Sequence, residues 1–184
     1  MKQCVNFVKP GAVLLAVAVA VALILGAVSA VTAGAIEAHA LDAQTEAMQA
    51  VLPAASYTKF DPAAYGAATE DIQSAYYSQG TGWVIEVSET GSQGVITMMV
   101  GVSASHTCTG VSITESSETA GLGAVAAQAS DKGDAFRAQF VGLSGTAAVT
   151  KEGGSVDAIS GATITSKAVC KGVTSALAYC ATLG

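Results

Sequence analysis

The chain lacks the signatures that announce the commonest cofactor chemistries. There is no Gly-x-Gly-x-x-Gly opening a helix and no Walker sequence, which argues against direct binding of NAD or ATP. Its four cysteines contain no Cys-x-x-Cys pair: Cys4 precedes a long apolar run, and Cys108, Cys170 and Cys180 are widely spaced. That spacing fits neither a zinc nor an iron–sulfur site. Cys170 and Cys180 stand ten apart on an expected helix, too far along the axis to bridge. A disulfide from Cys108 to either stays open, beside the reading of all three as small buried hydrophobes. His39 and His106 are isolated, so no metal ligand and no catalytic residue is assigned. Basic residues are scarce, 8 Lys and Arg against 14 Asp and Glu, for a net charge of −6. Nucleic acid wants a basic face, so that partner is excluded. The acidic balance suits solubility and docking to a basic partner.

What the chain has in excess is apolar residues, 51% of the total, and one stretch concentrates them. Ala12 to Ala35 carries no charge and is mostly Ala, Val, Leu and Ile, long enough to cross a bilayer as one helix. Lys2 and Lys9 precede it, and Glu37, Asp42 and Glu46 follow it. The positive-inside rule puts the N-terminus in the cytoplasm and the remainder outside. Val28-Ser29-Ala30 and Val31-Thr32-Ala33 resemble cleavage sites of a signal peptide. The run is longer than a signal h-region, which favours a retained anchor. Cys4 comes too early to be a lipoprotein attachment site. The expected organisation is a cytoplasmic segment 1–11, a transmembrane helix 12–36, a juxtamembrane helix and linker 37–67, and an extracytoplasmic domain 68–184. The chain is thus expected to be a single-pass protein of the cell's inner (plasma) membrane, in contact with lipid.

Periodicity gives the elements. Leu41, Thr45, Met48 and Leu52 share one helical face, and Pro53 stops that helix. Phe60 to Ala68, with Pro62 and Gly66, reads as irregular. Ile72–Ser78 and Gly82–Ser88 read as strands around Gln79-Gly80-Thr81, the second half-buried. Strands are also expected over Gln93–Ser103, Cys108–Glu115 and Ala147–Lys151, and helices over Leu122–Ala129, Asp131–Phe140 and Thr163–Leu183. Strands in succession with short turns, then helices, predict an α+β fold: an antiparallel sheet with packed helices, preceded by one N-terminal transmembrane helix.

Two loops carry the chemistry. Ser160-Gly161-Ala162-Thr163 stands within Asp157-Ala158-Ile159-Ser160-Gly161-Ala162-Thr163-Ile164-Thr165-Ser166, just before the last helix. A helix start offers unpaired N–H groups and the positive end of the dipole, which together hold a phosphate. The same Ser-Gly pair also reads as an ordinary N-cap. Glu118-Thr119-Ala120-Gly121-Leu122-Gly123 brackets one Leu with two glycines. That suits backbone approach to a flat ring, and equally an ordinary glycine turn.

In their order and separation, the two motifs resemble the FMN-binding subunits of two related membrane complexes. These are the G subunit of the Rnf ferredoxin:NAD oxidoreductase and the C subunit of the sodium-pumping NADH:quinone oxidoreductase. The resemblance covers residues 40–184, and the short chain favours the Rnf type. It implies covalent FMN, held by a phosphoester to the last residue of Ser-Gly-Ala-Thr, Thr163, with Ser160, Gly161 and Ala162 around it. On chemistry alone Thr165 remains a rival. The family's Glu-Thr-Pro-Gly-Leu-Gly loop lies against the flavin; here Ala120 replaces the Pro, which loosens the loop and removes no contact. Glu118, Thr119, Gly121, Leu122 and Gly123 follow as ring neighbours, with Leu122 as the apolar contact and Glu118 either orienting the loop or beside the ring. Lys167 either offsets the phosphate or is solvated. The resemblance further implies a separate flavin transferase, the other subunits of an Rnf-type complex, and electron relay coupled to sodium or proton movement. The chain would not be catalytic alone. A binding module in which Ser-Gly-Ala-Thr is only a cap is the reading outside redox chemistry.

Overall fold

Apolar alternation and short turns produce one antiparallel sheet in the order β1-β2-β3-β4-β5. The computed structural model describes residues 4–65 and 68–183, and their side chains except those of residues 4–10, 35–38 and 40. Lys2, Gly66 and the side chains of Cys4, Lys9 and Glu37 therefore lie outside the described residues. By contacts the chain divides into two units, Met1–Ala43 and Gln44–Gly184.

In the first unit, Gly11–Gly34 is a 24-residue apolar stretch of helix α1 (Cys4–Val51), long and apolar enough to cross a membrane. At about 1.5 Å per residue it exceeds the ~30 Å hydrocarbon core of a bilayer.

The second unit opens with the last turns of α1. The helix ends where Leu52 N–H donates to Met48 O at 3.0 Å and Pro53 follows, unable to donate. Its buried face is Ala47, Met48, Val51 and Leu52, packed on Tyr76, Val84 and Met99. The expected stripe through Leu41 and Thr45 is corrected, because Leu41 and Thr45 are both exposed. Gln44 Nε2 donates to Tyr76 OH at 2.8 Å and Thr109 Oγ1 to Val51 O at 2.5 Å. The helix end fits because Gly101 and Gly110 pair across the sheet beneath it. A Cβ on Gly101 would stand well inside contact distance of Val51 O. Gly101→Ala is therefore expected to lose about 1–3 kcal/mol through overpacking. Denaturant unfolding measures this, and an unchanged midpoint would mean that the end of α1 yields freely.

The sheet comprises β1 (Thr58–Phe60), β2 (Ile72–Ser78), β3 (Gly82–Thr90), β4 (Val95–Ser103) and β5 (Cys108–Ser116). β1 and a short helix α2 (Pro62–Tyr65) occupy part of the segment expected to be irregular. Asp61 starts α2 by accepting Ala63 N–H at 3.0 Å, with Pro62 in the first helical position. β3 is buried on both faces rather than half-buried. Val84 faces the end of α1, while Ile85 and Val87 face the main core. Met99 and Met98 divide in the same way on β4.

After the sheet come α3 (Asp131–Ala138), capped by Ser130 Oγ accepting Gly133 N–H at 3.3 Å, and α4 (Thr163–Ala181). Val169, Val173, Ala176, Leu177 and Cys180 of α4 close the core. The helix expected over Leu122–Ala129 is only a 3-10 turn, Gly123–Ala126. Leu122 and Ala124 N–H both turn back to Thr119 O, which draws the chain tight beside Glu118 and sets aside the helical propensity of the alanines. The strand expected over Ala147–Lys151 is a single parallel bridge, Val149 to Val156, followed by a 3-10 turn, Thr150–Glu152. Both valines are fully buried, so the apolar signal there came from the core and not from a sheet. Cys108, Cys170 and Cys180 are buried free thiols, so no disulfide joins them. Burial pushes their pKa up, to about 11 for Cys108 and Cys170 and about 12 for Cys180. They serve as small hydrophobes.

Candidate functional site

Glu118 organises the end of the sheet from which α4 starts. The residue is 9% exposed, and its carboxylate bonds two other chain segments. Oε1 accepts the N–H groups of Ser92 at 2.8 Å and Gln93 at 2.9 Å, in the β3–β4 loop. Oε2 accepts the Thr165 hydroxyl of α4 at 2.5 Å. Burial alone would raise the Glu118 pKa. The Gln93 N–H, the Thr165 hydroxyl and the N–H groups of Ser92 and Gly94 outweigh it and hold the carboxyl below the usual glutamate range. Glycines make room for this clamp: a Cβ on Gly91 would collide with Glu118 Oε1, and one on Gly123 with Oε2. Glu118 thus ties the β3–β4 loop to α4 by hydrogen bonding.

Above the clamp lies a cleft of about 300 Å³. Glu118, Thr119, Leu122 and Gly123 form one wall, and Gly161, Ala162, Thr163 and Thr165 form another. The two sequence motifs thus meet, although some forty residues separate them. Gly121 and Ser160 do not line the cleft. Gly121 instead supplies a left-handed turn, φ 76°, that lets Leu122 rise into the cleft; Leu122 stays 45% exposed. Gly161, φ 78°, does the same opposite, where a Cβ would meet Leu122 Cδ2 at 3.0 Å. Ser92, Gln93 and Ile164 complete the lining. Sequence reasoning missed them: the hairpin loop carries no pattern of its own, and Ile164 passes for an ordinary helix residue.

The start of α4 is not capped by Ser160. Ala162 occupies the N-cap with no side-chain cap bond, and Ser160 is exposed. Ser166 braces the turn instead, accepting Ile159 N–H and donating to Ala162 O, each at 3.0 Å. The helical bonds begin with Ser166 N–H to Ala162 O, so the N–H groups of Thr163, Ile164 and Thr165 precede the ladder. The two threonines differ sharply. Both line the cleft, but Thr165 is 1% exposed and its hydroxyl is held by Glu118, whereas Thr163 is half-buried. Lys167 pairs with Glu152 at 2.5 Å, both half-exposed, and is not among the residues lining the cleft. An exposed pair of this kind contributes about 0–1 kcal/mol.

The residues present fit a flavin phosphate. Free N–H groups at the positive end of a 19-residue helix meet an accessible hydroxyl, with apolar Leu122 and Ile164 at the rim. The cleft is at the small end for ligand sites, so a flavin ring would remain partly in solvent.

Residues 91–178 match the FMN-binding domain family, and every residue lining the cleft falls in that span. The G subunit of the ion-translocating oxidoreductase complex of Methanosarcina acetivorans is 39% identical over 146 residues, covering 74% of this chain and 74% of its own. The G subunit of the Na(+)-translocating ferredoxin:NAD(+) oxidoreductase complex of Acetobacterium woodii is 34% identical over 183 residues, covering 90% of this chain and 87% of its own. The chain therefore belongs to the family of G subunits of ion-translocating oxidoreductase complexes, with its cleft inside an FMN-binding domain.

Proposed function

We propose that the chain carries FMN through a phosphoester to Thr163 Oγ1 and relays electrons as the G subunit of an Rnf-type ion-translocating ferredoxin:NAD oxidoreductase. The observation that carries the attachment site is the contrast between two threonines of one cleft wall: Thr163 is half-buried, whereas Thr165 is 1% exposed with its hydroxyl committed to Glu118.

When bound, FMN supplies the redox chemistry, and the protein supplies position and electrostatics. The first-turn N–H groups of α4 hold the phosphate. Leu122 and Ile164 would give the ring apolar contact, and Glu118 fixes the walls by hydrogen bonding. The open cleft leaves the ring within reach of a neighbouring redox centre, as a relay subunit requires. Around this core we place residues 1–11 in the cytoplasm, 12–36 in the plasma membrane, 37–67 as juxtamembrane helix and linker, and 68–184 on the extracytoplasmic side. A separate flavin transferase attaches the cofactor there. Membrane lipid and the other complex subunits are the remaining partners.

Intact mass with peptide mapping, on full chain co-expressed with a flavin transferase, tests the reading. The expected result is a gain of one FMN less one water on the peptide bearing Thr163. No gain, with the transferase active on a control, would leave a binding module without redox function. On the loaded protein, Leu122→Ala is expected to keep the bond and shift the flavin's spectrum and potential. Unchanged values would remove the contact between loop and ring.

A further inference from the structure

A pair of carboxyl groups, one buried and one half-buried, stands away from the cleft. Glu89, near the end of β3, is 5% exposed, and Asp71 stands just before β2. Glu89 Oε2 accepts Lys171 Nζ of α4 at 2.8 Å. Glu89 Oε1 and Asp71 Oδ2 are both buried, and neither has a donor. Both side chains line one cavity, and the backbone holds their segments together there, with Ser88 N–H donating to Asp71 O at 2.8 Å. Two ionised carboxylates have no donor between them, so a pair of orphan oxygens in one cavity calls for a proton. One proton placed there would satisfy both orphan oxygens, each of which is otherwise costly to bury.

The charges around the pair agree. Glu70 and Asp71 face the cavity from the loop before β2, Glu89 from β3 and Lys171 from α4. A single ammonium offsets one of the two charges and leaves the other. Burial pushes the Glu89 carboxyl up; Lys171 pulls it back only in part, and the Asp71 charge pushes it further. For Asp71 burial also raises the pKa, but the hydroxyls of Ser175 and Thr69 and the Glu89 carboxyl outweigh it, so Asp71 is the acceptor.

We propose that Asp71 and Glu89 share one proton at neutral pH, with the Glu89 carboxylic acid donating to the Asp71 carboxylate, and that this proton latches α4 onto the sheet. Lys171 attaches α4 to Glu89, and Thr163 begins the same helix two turns earlier. The seating of the helix that carries Thr163 thus depends on a proton that the open cavity can exchange with solvent. A group whose folded-state pKa is raised gives its full stabilisation below its unfolded pKa and loses it as pH rises through the folded one. The latch therefore opens on the alkaline side.

Infrared spectroscopy and thermal unfolding of the full chain across pH test this. At neutral pH the wild type is expected to show a carboxylic-acid C=O band that both Glu89→Gln and Asp71→Asn lose. The wild-type unfolding midpoint is expected to fall as pH rises past the loss of that band, and that of Glu89→Gln to stay level over the same range. Lys171→Met, which removes the ammonium, is expected to keep the band to higher pH; a purely structural role for Lys171 would not move it. Absence of the band at neutral pH would overturn the proposal. So would its loss on adding sodium, magnesium or calcium chloride, since a metal ion would then occupy the place of the proton.

Discussion

Thr163→Ala is expected to abolish covalent flavin in protein co-expressed with an active transferase, while Thr165→Ala retains at least part of it. The two hydroxyls stand two residues apart on one helical turn, and their surroundings separate them. Thr165 is 1% exposed and donates to Glu118 at 2.5 Å, so esterifying it would break that bond and force a phosphate into the clamp. Thr163, the first residue of α4, lines the cleft where the helix presents its free N–H groups. Thr163→Ser keeps a hydroxyl at that place and is expected to restore attachment, which separates loss of the nucleophile from loss of the fold. Mass analysis of the intact chains and their peptides reads all three variants. Flavin persisting on Thr163→Ala would move the site elsewhere, with Thr165 the first place to look.

The parts of the site legible in the sequence were those whose chemistry is local. Gly121 and Gly161 announce left-handed turns, and both adopt them. The turn Gln79-Gly80-Thr81 marks the strand Ile72–Ser78, and apolar spacing places the start of α4 at Thr163. Contacts made by the fold were not legible. Ser92 and Gln93 reach the cleft because the register Thr90 to Val95 puts their loop beside Glu118, twenty-five residues on. The second buried face of β3 exists because the end of α1 covers Val84, a tertiary fact that alternation within one strand does not encode. Asp71 and Glu89 likewise look like two unrelated surface acids until the sheet brings them together. The failed helix over Leu122–Ala129 shows propensity yielding to one geometric demand: Gly123 approaches Glu118 and Thr165 so closely that no Cβ would fit between them.

Glu118→Ala is expected to be among the most damaging single changes in the domain, at about 2–3 kcal/mol, because it strips the acceptor from a buried hydroxyl and two backbone N–H groups at once. Ser92 and Gln93 are exposed, so water can answer their N–H groups; the Thr165 hydroxyl has no such recourse. The functional loss is expected to exceed the thermodynamic one, since this carboxylate bonds the β3–β4 loop and α4 at once. Glu118→Gln keeps an acceptor for the loop and an amide for Thr165, so it should recover most of the stability, short of the charge-assisted part. The pH dependence follows from the depressed pKa. A carboxyl whose folded pKa lies below the unfolded glutamate value of about 4.3 gives its full stabilisation above that value and loses it as pH falls through the folded one. The wild type should therefore keep this contribution at neutral pH and shed it in acid, and Glu118→Gln should lack that acid-side step. Denaturant unfolding across pH, with amide exchange at Ser92 and Gln93, measures both. Unchanged protection of those two amides in Glu118→Ala would show that the β3–β4 loop holds itself in place, and would take from Glu118 its role as the clamp of the site.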